Sequence, residues 1–410
     1  MNDLSDFVPL IPQYIKYAIP FFAATILIEF LLTIKFNKKD HYRVNDTINN
    51  LTMGIFSQLI DITVGLTLFL TYAWIYQNYR MINLENTWYI WILCYLVHDF
   101  FYYLFHLISH KVSIIWGSHE PHHSSEEFNY SVALRQGAFQ TFFSSPLFSI
   151  MALLGFHPVT WLICGQINLI YQFLPHTRLI GKMWWPIEFL FSTPSHHRVH
   201  HARNPKYLDK NFAGTFIIWD RMFGTFKEEE EEPVYGLIKP LNSWNPIWGQ
   251  VKNWVELFKK VKSMPGFSNK IKAIFLGPSW HPSEEVILPE VNRESYVKYD
   301  HGVKGLKKNI YLIVSYLFCS NIFLYFDLLT QTNFEKGLVI FYLVFSLFNI
   351  GTLFYNTTWA KRLELVRIIF CTLVGLLYSF VFLKSTIVFL VIFTSGVIFL
   401  ALFFYLFLKN

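Results

Sequence analysis

Histidines are concentrated in one stretch of the chain, from Val97 to His201. This stretch holds twelve of the fifteen histidines in the 410-residue sequence, namely His157 and eleven others. Histidine is the commonest metal ligand, and spacings of three or four residues place two rings on one side of a helix, where they can share an ion. The stretch therefore predicts a metal site. The eleven histidines are His98, His106, His110, His119, His122, His123, His176, His196, His197, His200 and His201.

Three groups of these histidines have helical spacings. His106 and His110 are four residues apart, and the pattern H-x2-HH then occurs twice, beginning at His119 and at His197. On a helix, the histidines between residues 196 and 201 would span an arc of about 140°, wide enough to face two ions. A structural zinc site closes with four ligands, and the suitably spaced histidines number about twice that. The sequence therefore predicts two ions.

The chemistry of the ligands narrows the choice of metal. All four cysteines lie in apolar runs, so they predict neither disulfides nor a thiolate site. Nitrogen ligands without thiolate suit iron, zinc or copper, and two irons with open coordination positions could activate dioxygen. Asp99 precedes His106 by two helical turns and could orient one of the rings. Pro121 would be tolerated if the segment around His119 formed the first turn of a helix.

The composition indicates a membrane protein. Hydrophobic residues make up 53% of the chain and charged residues 15%, with a mean hydropathy of +0.33. These values are hard to reconcile with a soluble domain of this length. The net charge of +6 comes from basic residues near apolar segments, which favours contact with anionic lipid over binding of nucleic acid.

Apolar runs predict how the chain crosses the bilayer. The N-terminus lacks the basic start and cleavage site of a secretory signal, so we expect the first run to remain as a membrane helix. Lysines follow this run, which places its end and all three histidine groups on the cytoplasmic side. The predicted runs are at about 15–34, 51–75, 88–108, 138–154, 158–174, 310–329, 337–354, 365–382 and 387–408, the fourth and fifth forming a hairpin.

We therefore predict an all-α polytopic membrane protein. Its bundle would have about seven to nine membrane segments and a cytoplasmic, histidine-rich helical cap that holds a di-metal site. Residues 1–305 would form the catalytic domain, and residues 306–410 a C-terminal four-helix membrane region. We expect no buried charge pair in the C-terminal region, and so a role as scaffold, dimer contact or lipid corridor and not in the chemistry. The host membrane would be the endoplasmic reticulum in a eukaryote or the inner membrane in a bacterium.

The residues between these two membrane regions are polar. Five consecutive glutamates, Glu228–Glu232, predict a solvated, mobile loop without a ligand role. Residues 248–261 are amphipathic and rich in lysine, and two placements are open: this segment lies on the bilayer surface, or it packs against the domain. His157, at the tip of the predicted hairpin, is expected to be an interfacial or capping residue.

The histidine spacings resemble those of a known family. H-x3-H at His106 and H-x2-HH at His119 and His197 are similar to the three histidine boxes of the fatty acid hydroxylase/sterol desaturase superfamily of membrane di-iron oxygenases. The segments HSSEEFNYSVALRQG, IYQFLPHT, TPSHHRVHHARN and DKNFAGTFIIWDRMFGTF further resemble the glyceryl-ether branch of that superfamily. The resemblance spans residues 97–246 and extends weakly into the C-terminal helices.

The resemblance implies a di-iron centre that uses dioxygen to hydroxylate an aliphatic carbon of a lipid. For the glyceryl-ether branch, it implies the O-alkyl carbon of alkylglycerols as the target, tetrahydrobiopterin as electron donor, and cleavage to a fatty aldehyde and a glycerol product. It also implies His176 as a further ligand, and His196 as a ligand or a hydrogen-bonding partner of one. Lys111 follows the first box, where the branch has an acidic residue. The implied iron ligands are His106, His110, His119, His122, His123, His176, His196, His197, His200 and His201.

Two other functions remain open. A sterol or fatty acyl hydroxylase or desaturase of the same superfamily would have the same boxes. A metal-transporting membrane carrier would need its histidines inside the membrane, whereas the sequence places them at the ends of helices. The expected partners are a lipid substrate, dioxygen, an electron donor and the bilayer, without nucleic acid; nothing in the sequence predicts the oligomeric state.

Overall fold

Helices are the regular secondary structure of the part of the chain that the structure, a computed structural model, describes. The described residues are 14–283, 291, 296–302, 305–324, 332–378 and 386–408. Within them no β-strand forms, and one antiparallel bridge joins Ala202 to Tyr235. The all-α prediction is confirmed.

The helices are numbered in chain order. They are α1 (Tyr14–Lys35), α2 (Val44–Tyr79), α3 (Trp88–Lys111), α4 (Ser113–His123), α5 (Tyr130–Ala133), α6 (Gln140–Leu153), α7 (Pro158–Phe173), α8 (Trp185–Leu190), α9 (Pro194–His200), α10 (Ile218–Phe223), α11 (Pro246–Ser263), α12 (Phe267–Phe275), α13 (Leu306–Leu324), α14 (Asn333–Leu353), α15 (Thr358–Tyr378) and α16 (Thr386–Phe403). A π-helical turn, Phe404–Leu408, follows α16.

Five helical segments of the described chain are long and apolar enough to cross a membrane. They are the parts of α1, α2, α3 and α14 at Tyr17–Lys35, Val44–Tyr79, Trp88–Lys111 and Phe334–Leu353, and the segment Leu390–Phe407. The prediction of a polytopic membrane protein is confirmed. The hairpin helices α6 and α7 have 14 and 16 residues, fewer than the roughly 20 that cross a bilayer. The count of seven to nine segments stays a prediction.

The turn between α6 and α7 forms where it was predicted. Gly155 has a φ of +90°, and an added Cβ would lie 2.0 Å from the carbonyl oxygen of Ile82, so no other residue fits there. His157 precedes Pro158, the first residue of α7, and its Nδ1 accepts a hydrogen bond from the N–H of Val159. The expected capping role of His157 is confirmed.

The core of the first part of the chain lies where α2, α3, α6 and α7 meet. Tyr72 is buried there, stacks on Trp161 at 4.2 Å between ring centroids, and donates to the carbonyl oxygen of Phe156. Cys94, on α3, is buried in the same cluster. This packing fixes α3, whose opposite end carries His106 and His110.

A sharp break separates α3 from α4. Val112 is extended, with φ −125° and ψ 113°, so the chain turns between the two helices instead of continuing as one. Pro121 lies in the last turn of α4 and not in a first turn, where its missing N–H would need no partner. The carbonyl oxygen of Pro121 accepts hydrogen bonds from the buried Arg135 and from Ser124. These contacts from outside the helix stabilise the last turn although proline contributes no N–H.

The chain forms two compact units. The first comprises the residues up to Arg43, Ser57–Leu241 and Gly249–Lys298, and it contains all the histidines predicted as ligands. The second comprises Val44–Phe56, Asn242–Trp248 and the residues from Tyr299 onward. The chain passes between the two units several times. The predicted domain boundary after residue 305 stays a prediction.

The second unit contains a buried ion pair. Arg367 and Glu364, both on α15, are buried, with Nη2–Oε1 and Nε–Oε2 distances of 2.6 and 2.7 Å. Asn349 and Tyr311, from two other helices, also donate to the Glu364 carboxylate. The expectation that the C-terminal region has no buried charge pair was therefore wrong. Glu364 stands just outside the apolar run predicted for this helix, and so looked like an interfacial charge.

Candidate metal centre

Nine buried histidines come together as two groups of nitrogen donors. Within each group, one ring nitrogen from every histidine lies within 4.8 Å of those of the others. We call the larger set group one and the smaller set group two. Group one is His106, His110, His119, His123 and His200, and group two is His122, His176, His197 and His201.

Each group draws on several elements of the chain. The last two turns of α3 supply His106 and His110, and α4 supplies His119 and His123 to group one but His122 to group two. The H-x2-HH segment at the end of α9 divides likewise. Its His200 joins group one, whereas His197 and His201, which lie about 40° apart on the helix, join group two.

Within the groups, the Nε2 atoms face one another at short distances. In group one, the Nε2 of His119 lies 2.8 Å from that of His106 and 3.0 Å from that of His123. In group two, the Nε2 of His197 lies 3.0 Å from that of His176 and 3.2 Å from that of His201. Two nitrogens bound side by side to one ion, at about 2.1 Å each, would lie about 3 Å apart.

Backbone carbonyl oxygens determine which ring nitrogen carries the proton. A carbonyl oxygen only accepts, so a ring nitrogen bonded to one must be the N–H, which leaves the opposite nitrogen with a free lone pair. The Nδ1 atoms donate in this way from His106 to Phe212, from His122 to Arg135, from His176 to Gln172 and from His200 to Lys210, at 2.7–3.0 Å. The side-chain oxygen of Gln140 lies 3.0 Å from the Nδ1 of His119.

The facing nitrogens therefore cannot all be hydrogen-bonded to one another. His122 and His176 both have their protons on Nδ1, yet their Nε2 atoms are 3.4 Å apart and both are buried. Two lone pairs that face each other without a proton repel unless a cation lies between them. The arrangement of the donors fits a metal ion in each group, and ligands that are all nitrogen suit iron, zinc or copper.

Burial also keeps the rings neutral, as metal binding requires. Desolvation lowers the pKa of His122 to about 4. It lowers the pKa of His197 and His201 well below their usual value, and neighbouring imidazoles lower these further. Neutral imidazole binds a metal without first releasing a proton.

The two groups are adjacent and surrounded by aromatic rings. His123 of group one stacks on His201 of group two at 4.5 Å between centroids. The fully buried Phe128 stacks on His176 at 5.6 Å, and the fully buried Phe212 lies 5.1 Å from His110. The groups can thus hold two ions side by side in a site from which these rings exclude water.

His196 lies outside both groups. Its Nε2 is 3.0 Å from a carboxylate oxygen of Glu188, and its Nδ1 accepts from the N–H of Thr193, the residue that caps α9. Burial raises the pKa of Glu188, but hydrogen bonds from His196, from a backbone N–H and from Ser195 outweigh it and hold the pKa at about 2. These contacts fix the start of α9 and so the direction of the helix that carries His197 and His200.

Neither His98 nor Asp99 contacts the nitrogen groups directly. His98 stacks on Phe148 at 4.7 Å between centroids. Asp99 accepts hydrogen bonds from the backbone N–H groups of Thr215 and Phe216 and from the side chains of Asn168 and Trp219. Asp99 thereby holds the loop from Asp209 to Trp219, whose carbonyl oxygens orient two of the rings. It acts through this loop and not, as expected, on a histidine.

Asp209 is a site residue that sequence reasoning missed. One carboxylate oxygen lies 3.6 Å from the Nδ1 of His110, and the other lies 2.5 Å from the ammonium nitrogen of Lys111. Burial raises the pKa of Asp209, but the contacts with His110 and Lys111 outweigh it and hold the pKa at about 2. The lysine that follows the first box therefore pairs with the carboxylate that faces the histidine before it. No spacing in the sequence links residues 110 and 209.

The acidic run is exposed, as expected of a solvated loop, apart from the partly buried Glu229, but the protein holds it at several points. Glu229 forms two hydrogen bonds, of 2.7 and 2.6 Å, with the guanidinium of Arg198 on α9. The hydroxyl of the fully buried Tyr207 accepts from the N–H groups of Glu230 and Glu231. The loop thus supports α9 between two of its metal-facing histidines.

Changing Asp99 to asparagine tests the role of the loop. The new amide nitrogen would face N–H donors in place of one acceptor oxygen, so the loop that orients His106 and His200 should loosen. Partners that orient ligands typically contribute about 10–100-fold to metal affinity. We therefore expect Asp99→Asn to weaken metal binding by about that factor, measured by titrating metal into the stripped protein. Asp61→Asn, which affects only a contact with Thr141 of α6, should bind as the wild type does; equal affinity in both variants would contradict this role.

A family model agrees with this combination of fold and site. The model described as fatty acid hydroxylase matches residues 91–225, a range that includes both nitrogen groups. The helical membrane fold and the position of the histidine groups within the matched residues agree with this description. The protein is an enzyme of the fatty acid hydroxylase class.

Curated relatives give the family more closely. Human alkylglycerol monooxygenase is 36% identical over 91% of this chain and 84% of its own length. The Xenopus tropicalis protein of the same name is 41% identical over 68% of this chain, and the chain spans 63% of that relative. Human cholesterol 25-hydroxylase is 27% identical over 33% of the chain. No solved structure matches. The chain belongs to the alkylglycerol monooxygenase family, which confirms the predicted superfamily and the prediction of a lipid monooxygenase.

Proposed function

We propose that the chain is a membrane di-iron monooxygenase that oxidises the O-alkyl carbon of alkylglycerols. The observation that carries this proposal is the pair of adjacent nitrogen groups, whose facing lone pairs suit two cations. The relatives that align over most of the chain are named for a monooxygenase acting on alkylglycerols. Hydroxylation by dioxygen is chemistry that two nitrogen-ligated irons with open positions can support.

The two nitrogen groups would hold the two irons. When bound, the irons would supply the reduction of dioxygen and the insertion of one of its oxygen atoms into a C–H bond. His196 is not needed as a ligand, since its nitrogens bond to Glu188 and Thr193. The proposed ligands are His106, His110, His119, His123 and His200 for one iron, and His122, His176, His197 and His201 for the other.

The proposed reaction consumes one dioxygen, two electrons and two protons. One oxygen atom enters the C–H bond beside the ether oxygen, and the other leaves as water. The product is a hemiacetal, whose C–O bond to glycerol breaks to give a fatty aldehyde and a free glycerol hydroxyl. We propose tetrahydrobiopterin as the electron donor, in keeping with the resemblance to the glyceryl-ether branch.

The residues of the chain would position the reaction and keep it dry. The carbonyl oxygens of Phe212 and Lys210 hold the rings of His106 and His200 with their Nε2 lone pairs directed inward. The buried aromatic rings of Phe128 and Phe212 cover both groups and exclude water. A water-free site strengthens the interactions with charge that develops during the reaction.

We further propose that the site faces the cytoplasm. The lysines that follow α1 favour this orientation by the positive-inside rule. In a eukaryote the host membrane would be the endoplasmic reticulum, and in a bacterium it would be the inner membrane. Tagging the loop after α1 and testing its access to a membrane-impermeant reagent in sealed vesicles decides the orientation.

The alternative substrate within the superfamily is a sterol or a fatty acyl chain. The likeness to cholesterol 25-hydroxylase, over a third of the chain, is the observation on its side. The longer alignment with the alkylglycerol monooxygenases favours the ether lipid. A metal carrier is disfavoured, because the relatives that align over most of the chain are named as enzymes. Most of the grouped histidines also lie on short helices outside the membrane-crossing segments.

One experiment tests these alternatives together. Purified protein in lipid nanodiscs is analysed for metal content and then incubated aerobically with an alkylglycerol, a sterol or a fatty acid, with and without reduced tetrahydrobiopterin. We expect about two irons per chain, and fatty aldehyde only with the alkylglycerol and the pterin. A hydroxylated sterol or fatty acid instead would establish the alternative, and an iron-free protein that still produces aldehyde would refute the di-iron centre.

A further inference from the structure

One short helix, α12, exposes an apolar face although it is too short to cross a membrane. Phe267, Ile271 and Phe275 are 79%, 39% and 58% exposed. They follow one another at intervals of four residues, so they form one stripe along this nine-residue helix. An apolar stripe left open on the surface of a protein marks a contact with something else.

The charges around this stripe are almost all positive. At about 100° per residue, Lys270 and Lys272 lie on opposite sides of the stripe, each about 100° from its centre. From Pro246 to Trp280 the chain contains six lysines and a single acidic residue, Glu256. An apolar stripe flanked by lysines fits a lipid surface that carries negative charge, as in interfacial helices.

The buried side of α12 places the helix close to the membrane boundary. Ala273 is fully buried, and the carbonyl oxygen of Leu276 accepts from both the N–H and the hydroxyl of Ser113, at 2.9 and 2.7 Å. Ser113 begins α4, two residues after α3 ends at Lys111. α3 is long and apolar enough to cross the bilayer. The end of α12 is therefore hydrogen-bonded to the chain next to the end of a membrane-crossing helix.

The neighbouring helix α11 is different, because it packs on the protein. Its Trp254 donates to the carbonyl oxygen of Ile114 at 2.8 Å, and Lys252 and Asn253 contact Glu120. Of the two placements left open for this segment, the structure shows packing against the domain. The helix available to lie on the bilayer surface is therefore α12, because its apolar stripe is exposed.

We propose that α12 is an interfacial helix that binds anionic lipid in the leaflet at which α3 ends. The stripe of Phe267, Ile271 and Phe275 lies among the acyl chains, and Lys270 and Lys272 contact the headgroups. Since Leu276 is hydrogen-bonded to the first residue of α4, this contact also supports the helix that carries three of the grouped histidines.

Spin labelling tests the depth of the stripe without any turnover. Phe275→Cys and, as a matched exposed site, Glu228→Cys are labelled with a nitroxide in the full-length protein in nanodiscs, and the unsubstituted protein gives the background. We expect the label at 275 to be accessible to oxygen and shielded from a water-soluble nickel reagent, and the label at 228 to show the reverse. If both labels are equally accessible to nickel, α12 lies in water and the proposal is wrong.

The lysines are tested by varying the lipid. Each lysine near an anionic surface favours binding by roughly five-fold, so two shift the equilibrium between inserted and detached helix by roughly 30-fold. Adding phosphatidylserine to phosphatidylcholine nanodiscs should therefore move the label at 275 deeper. Lys270→Gln/Lys272→Gln should abolish this effect, whereas Lys182→Gln/Lys206→Gln, at exposed positions elsewhere, should retain it. An unchanged response in the first pair would overturn the role of anionic lipid. Neither result depends on the reaction of the enzyme.

Discussion

Replacing His197 with alanine is expected to abolish the proposed reaction. The Nε2 of His197 lies 3.0 and 3.2 Å from those of His176 and His201, so its removal leaves group two with three ligands and a void at its centre. Partners that merely orient a ligand contribute about 10–100-fold, so the loss of a ligand should reduce product formation by more than about 100-fold. The measurement is aldehyde production from an alkylglycerol at saturating reduced pterin.

Metal analysis separates this effect from unfolding. His197→Ala should bind about half as much iron as the wild type, because group one keeps its five histidines. A control histidine outside both groups is His281, whose ring Nδ1 bonds to the N–H and hydroxyl of Ser283, within its own loop. His281→Ala should retain full iron content and turnover. Full turnover in His197→Ala would mean that group two does not hold a catalytic ion.

The local part of the site could be predicted from the sequence. The spacing of His106 and His110 fixes both rings on one face of α3, because a helix returns to the same side after about four residues. The division of α9 also follows from its arc, since His200 and His201 point in directions about 100° apart. Apolar runs likewise located α1 and α3 to within a few residues, because their length must match the bilayer.

The parts that depend on distant contacts could not be predicted. Asp209 faces His110 across almost a hundred residues of chain, and its position depends on the whole course of the loop. Asp99 has the spacing of a residue that orients His106, yet the loop donors Thr215 and Trp219 occupy its carboxylate. Periodicity places a residue on a face of its own helix, but it does not show what packs against that face.

The same limit concealed the ion pair in the second unit. Removing one partner of this pair should have the largest effect on stability. Arg367→Met leaves the carboxylate of Glu364 buried without its cation. Breaking a buried pair by removing one partner typically costs about 3–5 kcal/mol, because the remaining charge is uncompensated. We expect a correspondingly large fall in the temperature at which the purified protein unfolds in detergent, followed by circular dichroism. Arg362→Met, the same change at an exposed position of α15, should have little effect.

Neutralising both partners should restore much of the lost stability. In Glu364→Gln/Arg367→Met no charge remains buried, and the side-chain oxygen of the glutamine can still accept from Tyr311, one of the two residues that donate to the Glu364 carboxylate in the wild type. Replacing a whole buried pair by uncharged residues of similar size is often close to neutral. The double variant should therefore unfold well above the temperature of Arg367→Met alone. If the two changes simply add, the cost comes from the lost contacts of each side chain and not from an unpaired charge.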